Sequence, residues 1–189
     1  QMCIRDRDII KADRIAAGNT TSLEYIINQS PGIDILDGQP RIRGGSSYSY
    51  GAGSRVLVLV DGLPILSPDA GDVKWEYLPV ENISQIEIIK GASSVLYGSS
   101  ALNGIINIRT AYPKNKPFTK VILFGGLYMN PKREALVWWD NQPVLFGASA
   151  FHSRKAGNLD LVFGYHGFND GGYRENEWDK RNRVNMNLL

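Results

Sequence analysis

Residues 81–110 read ENISQIEIIKGASSVLYGSSALNGIINIRT, and this stretch decides the fold. Ile83, Ile86, Ile88 and Ile89 belong to an apolar strand that ends at Lys90-Gly91. Residues 93–97 predict a short helical turn, with Gly98 placed to cap it. Ile105-Ile106-Asn107-Ile108-Arg109-Thr110 predicts the next strand. Upstream, VLVLV at 56–60 is the continuous aliphatic run of a strand buried on both faces. Asp61-Gly62 then predicts a tight turn into Leu63-Pro64-Ile65-Leu66.

Further back, Thr21-Ser22-Leu23-Glu24 has capping-box spacing, and Leu23, Ile26 and Ile27 share one helical face. A short helix over 21–29 is predicted, stopped by Ser30-Pro31-Gly32, with a strand at Ile33-Asp34-Ile35. Arg41-Ile42-Arg43-Gly44 leads into a glycine- and serine-rich loop over 45–54, and residues 67–75 form a second polar loop. Helix and strand signals therefore alternate up to Thr110, which implies a compact α+β or mixed-sheet domain.

Beyond a charged, proline-bracketed linker at 113–117 the pattern changes. Segments of about ten residues at 120–129, 144–152, 158–168 and 184–189 are separated by polar turns. In the third, Leu159, Leu161, Phe163 and Tyr165 fall on one face and Asp160, Gly164 and His166 on the other, with Val162 as the exception. Outer-membrane strands need about nine to eleven residues. Periodicity alone favours a soluble antiparallel sheet over a barrel.

The 189 residues suffice for one good core or two small ones. A net charge of +2 makes no case for a nucleic-acid partner. No run of eighteen apolar residues exists, so no transmembrane helix is expected, which leaves barrel strands open. Residues 2–7, MCIRDR, match the translation of a transposon end used in DNA library preparation, and residues 1–7 are set aside as a sequencing artefact. The only cysteine, Cys3, falls there, leaving no disulfide or thiol chemistry to argue from.

The glycines at 44–53 lack the lysine of a phosphate loop. Gly51-Ala52-Gly53 lacks the third glycine of a dinucleotide site and precedes a strand, so a flexible loop is the favoured reading. His152 and His166 read as ordinary strand histidines sooner than as metal or haem ligands. Trp138, Trp139, Tyr173 and Trp178 lie beside predicted loops, where an interfacial girdle and ligand contact are both open.

IRGG at 42–45, VLVLVDGLP at 56–64 and the 81–110 block occur in that order and together resemble the plug domain of TonB-dependent outer-membrane receptors. That family repeats an Ile-Arg-Gly, a Val-Asp-Gly and an I-E-x-I-x-R-G-P-x-S-x-x-Y-G…G-x-x-N-I block. This chain departs at Lys90, where the family has Arg, and at Ala92, where it has Pro. The resemblance implies an α+β plug, a mixed sheet with short helices, over 8–112. The first three to four antiparallel strands of a truncated outer-membrane β-barrel follow over 118–189. With the plug on the periplasmic side, 129–143 and 169–181 become external loops and 154–157 a tight periplasmic turn, an arrangement that tips the reading from soluble sheet to barrel.

For function, the resemblance implies an outer-membrane receptor of a Gram-negative cell, not an enzyme. It would import a scarce large solute (iron–siderophore, haem, cobalamin or similar) to the periplasm. Its expected partners are the TonB-ExbB-ExbD complex, outer-membrane lipid and the solute. No catalytic residue, cofactor or metal site is expected, although the solute can itself be a metal chelate. The plug would sit in the barrel lumen, and the TonB box and signal peptide are expected to lie outside this chain. The expected solute-binding residues, on apical plug loops, are Ser47, Tyr48, Tyr50, Ser54, Asp69 and Trp75. Arg43, Glu87 and Lys90 are expected to dock the plug on the barrel wall, and Gly44, Asp61, Gly62, Gly91, Gly98 and Gly104 to form turns. The rival classes are a soluble β-rich binding module and an enzyme using the glycine-rich loop.

Overall fold

The computed structural model describes residues 6–18, 22–45, 48–49, 53–67, 72–75, 78, 80–91, 97–113, 116–157 and 159–188. Two compact units meet in sequence at Ala111/Tyr112.

Unit 1 begins with β1 (Asp6–Lys11), α1 (Ala12–Ala17) and α2 (Leu23–Asn28). A hairpin follows, β2 (Ile33–Leu36) and β3 (Gln39–Ile42), and then a two-residue ladder, β4 (Tyr48–Ser49) with β5 (Gly53–Ser54). The main sheet is completed by β6 (Val56–Val60), β7 (Leu63–Pro64), β8 (Ile83–Lys90) and β9 (Gly104–Thr110), in the order β1-β8-β9-β6-β7. It is mixed: β6 and β9 run parallel, while the other pairs are antiparallel.

Strand alternation sends Val56, Val58, Ile86, Ile88, Ile106 and Ile108 to one face, where they join Leu23, Ile26 and Ile27 of α2 in the main core. Leu57, Leu59 and Ile105 point the other way and form a smaller cluster with Ala101. β6 is thus buried on both faces, as its unbroken aliphatic run implies. The helix starts at Leu23, with Ser22 at the N-cap and no side-chain cap bond; Thr21, the expected N-cap, lies outside the described residues. The predicted turn at 93–97 also falls outside them, apart from Tyr97. Asp6 and Arg7, set aside at the level of sequence, pair with Lys90 and Ile89.

Unit 2 is a four-stranded antiparallel meander, β10 (Phe118–Leu127), β11 (Val144–Ala156), β12 (Leu159–Asp170) and β13 (Asp179–Leu188). β11 and β12 are longer than the sequence suggests. Arg154 to Ala156, expected as a turn, remain in β11 and pair with 159–161. Gly157, which follows β11, has φ 64°. Val162 is no irregularity: it shares a face with Gly164 and His166 and is 3% exposed.

Candidate functional site

The charged residues expected to dock the domain divide in two. Arg43 follows β3 with φ 55° and is exposed, its N–H donating to the Gly32 carbonyl at 2.8 Å. Glu87 is buried in the sheet and already bound. Arg7 and the Arg109 Nε each approach its Oε1 at 2.9 Å, and Gln85 donates to the same oxygen at 2.5 Å. Lys90 is likewise engaged within unit 1, with Asp8 at 2.6 Å and the Pro31 carbonyl at 2.8 Å. Glu87 and Lys90 thus have charge partners inside unit 1. A buried charge needs its partner nearby, and here neighbouring strands supply it. Asp8 and Arg109 were missed because strand spacing reveals charge partners only once the register is known, and Arg7 because it fell in the segment set aside.

The expected solute-binding loops are closed at their bases. The β4–β5 ladder joins Tyr48 to Ser54 within the loop at 45–54. In the second loop, Leu66 bridges Val73, the Ser67 N–H donates to the Asp72 carbonyl at 2.9 Å, and the Asp72 N–H donates to Ser67 Oγ at 2.9 Å. Gln39 ties this base to the β2–β3 hairpin by donating to Asp72 at 2.6 Å. Trp75 departs from expectation: it is 5% exposed in the main core, and its indole N–H donates to the Gly38 carbonyl at 2.6 Å. Its apolar bulk and single donor are both satisfied inside the domain, so Trp75 anchors the loop from below. Ser47, Tyr50 and Asp69 lie outside the described residues.

Positive φ marks each of the residues expected to form turns, although Gly104 opens β9. Asp61 and Gly62 have φ 49° and 85°, the two left-handed positions that a two-residue hairpin requires. Gly44, Gly91 and Gly98 also have positive φ. At Gly104 (φ 151°) a side chain would be excluded as well as strained, since a Cβ would lie 2.5 Å from the Ile89 carbonyl oxygen.

Unit 2 separates its two faces. Val121, Leu123 and Leu127 of β10, Val144 and Phe146 of β11, Phe163 of β12, and Val184 and Met186 of β13 share one face in register. All are among the exposed large hydrophobic residues. The other face mixes polar and aromatic groups. Ser149 Oγ lies 2.8 Å from His166 Nδ1, and Phe124 stacks with both His166 and Phe168. Gly147 leaves room for that ring, since a Cβ there would collide with it. His152 bonds Thr119 at 2.8 Å on the apolar face. Among the described residues no group of three His, Cys, Asp or Glu could hold a metal ion.

Past the strand ends, Tyr128, Trp138, Trp139 and Tyr173 form an aromatic cluster joining the segments 128–143 and 171–178. The Trp138 indole donates to the Tyr173 carbonyl at 2.8 Å. Burial first, and then Asp170, push the Tyr128 phenol up to about 12. It therefore stays protonated and donates to Asp170 at 2.8 Å.

The sequence matches the TonB-dependent Receptor Plug Domain family over residues 4–105, more than half of the chain. It is 30% identical over 119 residues to the vitamin B12 transporter BtuB of Photobacterium profundum, covering 62% of this chain and 20% of the transporter. The BtuB of Vibrio vulnificus is 33% identical over 124 residues, 65% of this chain and 20% of its own length. The chain thus spans about a fifth of the length of the curated relatives it matches. In fold it is similar to the ferric citrate transporter FecA, with a TM-score of 0.75 at 19% identity over 97% of this chain and 28% of that one. The siderophore receptor PirA from Pseudomonas aeruginosa gives 0.71 at 21% identity over 100% of this chain and 32% of PirA. At these identities the two structures speak for the fold: a plug-type mixed sheet followed by antiparallel strands of a receptor barrel. The family match, the BtuB relatives and the plug-type sheet agree that the chain belongs to the TonB-dependent receptor plug domain family.

Proposed function

We propose that the protein carrying this chain is an outer-membrane active-transport receptor and not an enzyme. It binds a scarce large solute of the iron–siderophore, haem or cobalamin kind and imports it to the periplasm with energy from the TonB-ExbB-ExbD complex. The observation that carries this reading is the pairing of a plug-family unit with a sheet that displays an apolar band. Its strands of 10, 13, 12 and 10 residues are long enough for the roughly nine to eleven that a tilted membrane strand needs. An apolar face of this extent suits lipid, whereas in water it is an aggregation liability. Arg43 is the docking residue retained in this reading, with solute contacts from the loops at 45–54 and 66–74.

Uptake of labelled cobalamin, haem and ferric siderophores by cells expressing the complete receptor tests the proposal. Uptake of one of them, abolished when TonB is deleted, is the expected result. A protein that is soluble without detergent and promotes no uptake would overturn it.

A further inference from the structure

The two inner strands of unit 2 treat their charges unequally on the two faces. β11 and β12 each have a strand on both sides, so the exposure of their residues does not come from a missing neighbour in the sheet. Near the turn that joins them, Lys155 and Asp160 are directly opposed on the polar face and form an ion pair, with Nζ 3.3 Å from Oδ1. One residue earlier the sheet does the reverse. Arg154 is exposed on the apolar face opposite Leu161, and it has no hydrogen bond or ion pair among the described residues.

His152 stands two residues before Arg154 on the same face, a spacing of about 7 Å along a strand. Its Nδ1 lies 2.8 Å from Thr119 Oγ1. With the hydroxyl donating, the neutral ring carries its proton on Nε2, and the bond to Thr119 holds that donor in place. Phe163 opposite His152, Met186 opposite Phe163, and Leu159 near the turn are all exposed. An unpaired guanidinium is costly in hydrocarbon, so Arg154 marks an edge of the apolar band and not its middle. Lys180, the other cation of this face without a partner among the described residues, stands opposite Asn169 at the far end. The two rows meet β12 at Leu161 and Asn169, ~26 Å apart along the strand and ~20 Å in depth at a tilt of about 40°. With both side chains reaching outward, the cations bracket a band close to the ~25 Å of an outer-membrane barrel.

We propose that Arg154 and His152 bind the phosphate of a glycerophospholipid whose acyl chains lie along Leu161, Phe163 and Met186. The inference rests on the membrane reading above. The guanidinium fork takes two phosphate oxygens through parallel charge-assisted hydrogen bonds, and the His152 Nε2 proton supplies a third. Charge complementarity calls for an anion from outside the sheet, because Asp160 answers the cation of the polar face and the apolar face holds no carboxylate beside Arg154. The apolar surface next to it calls for an anion that carries acyl chains. Arg154 belongs to the end of the sheet where Phe118 opens β10 opposite Ser153, shortly after unit 1. In the receptor reading that end is periplasmic, and the lipid there is glycerophospholipid.

Titration of the complete receptor in non-ionic detergent with phosphatidylglycerol, and with diacylglycerol of the same chains, tests this by native mass spectrometry. Phosphatidylglycerol should bind about tenfold or more tightly than diacylglycerol. Arg154→Ala should remove about tenfold of that preference, and Arg154→Lys about threefold, since lysine keeps the charge and loses the fork. His152→Ala should cost about threefold, while Lys155→Ala, on the other face, should leave binding within about twofold. Equal binding of the two lipids, or a preference untouched by either Arg154 variant, would sink the site. A preference for lipid A over phosphatidylglycerol that depends on Arg154 would overturn the assignment to glycerophospholipid. Where Arg154→Ala fails to fold, Arg154→Lys and the diacylglycerol comparison still decide. A complete protein that stays soluble without detergent fails the membrane reading itself, whereas a detergent-requiring receptor that does not discriminate fails the site alone.

Discussion

β6 and β10 carry similar aliphatic runs, VLVLV at 56–60 and VILF at 121–124, yet they meet opposite surroundings. Val56 and Val58 are fully buried, and Leu57 and Leu59 nearly so, because protein packs on both faces of β6. Val121 and Leu123 are 63% and 76% exposed, and their neighbours across β11 and β13 continue the apolar surface. Local β-propensity is the same in both cases. The difference teaches that one sheet is completed by its own helices and loops, while the other leaves an apolar face uncovered, the face that the proposed function gives to lipid.

One charged substitution placed in each sheet breaks this comparison most sharply. Ile106→Arg puts an unpaired charge into the core of unit 1, where the native residue is fully buried, and is expected to abolish its folding. Loss of the cooperative thermal transition in circular dichroism would show it. Leu123→Arg on the exposed face of unit 2 should leave unit 1 folded and lower stability in a bilayer by about 2–4 kcal/mol. Denaturant titration of the complete receptor in lipid vesicles measures that cost, and a cost near zero would argue against lipid contact.

Smaller changes sharpen the account of unit 1. Gly104→Ala should destabilise by roughly 1–3 kcal/mol, since the residue combines a left-handed backbone with a carbonyl in the place of its Cβ. Glu87→Gln removes the charge shared by Arg7 and Arg109 and should cost about 1–3 kcal/mol in urea unfolding. The half-exposed arginines keep solvent contact and limit the loss. Arg43→Ala, on an exposed side chain, should leave that stability within about 0.5 kcal/mol. The same variant should raise passive leakage of a bulky dye through the complete receptor, and unchanged leakage would argue against its docking role.

Much of unit 1 is legible in its residues. The strand at 56–60, the turn at Asp61-Gly62 and the strand ending at Lys90 stand where local pattern puts them, because unbroken aliphatic runs and a left-handed Asp-Gly pair have few other uses. The helix at Leu23–Asn28 was legible by its apolar face and misread at its cap. The site was less legible. Trp75 reads as a loop aromatic until the Gly38 carbonyl and the main core are found beside it. Glu87 and Lys90 read as free charges until β1 is laid alongside β8.

By itself the sequence determined the longer strands of both units, the tight turn at Asp61-Gly62, and that the chain changes character near residue 112. Those properties depend on neighbours within a few residues, through side-chain alternation and allowed φ. Only the tertiary structure decided the strand order, the partners of Glu87 and Lys90, the burial of Trp75 and the bonds from Asp61 to Thr110. The ion pairs and the bonds of Trp75 and Thr110 join residues more than twenty positions apart, and no local preference encodes which distant group will satisfy a buried charge or donor.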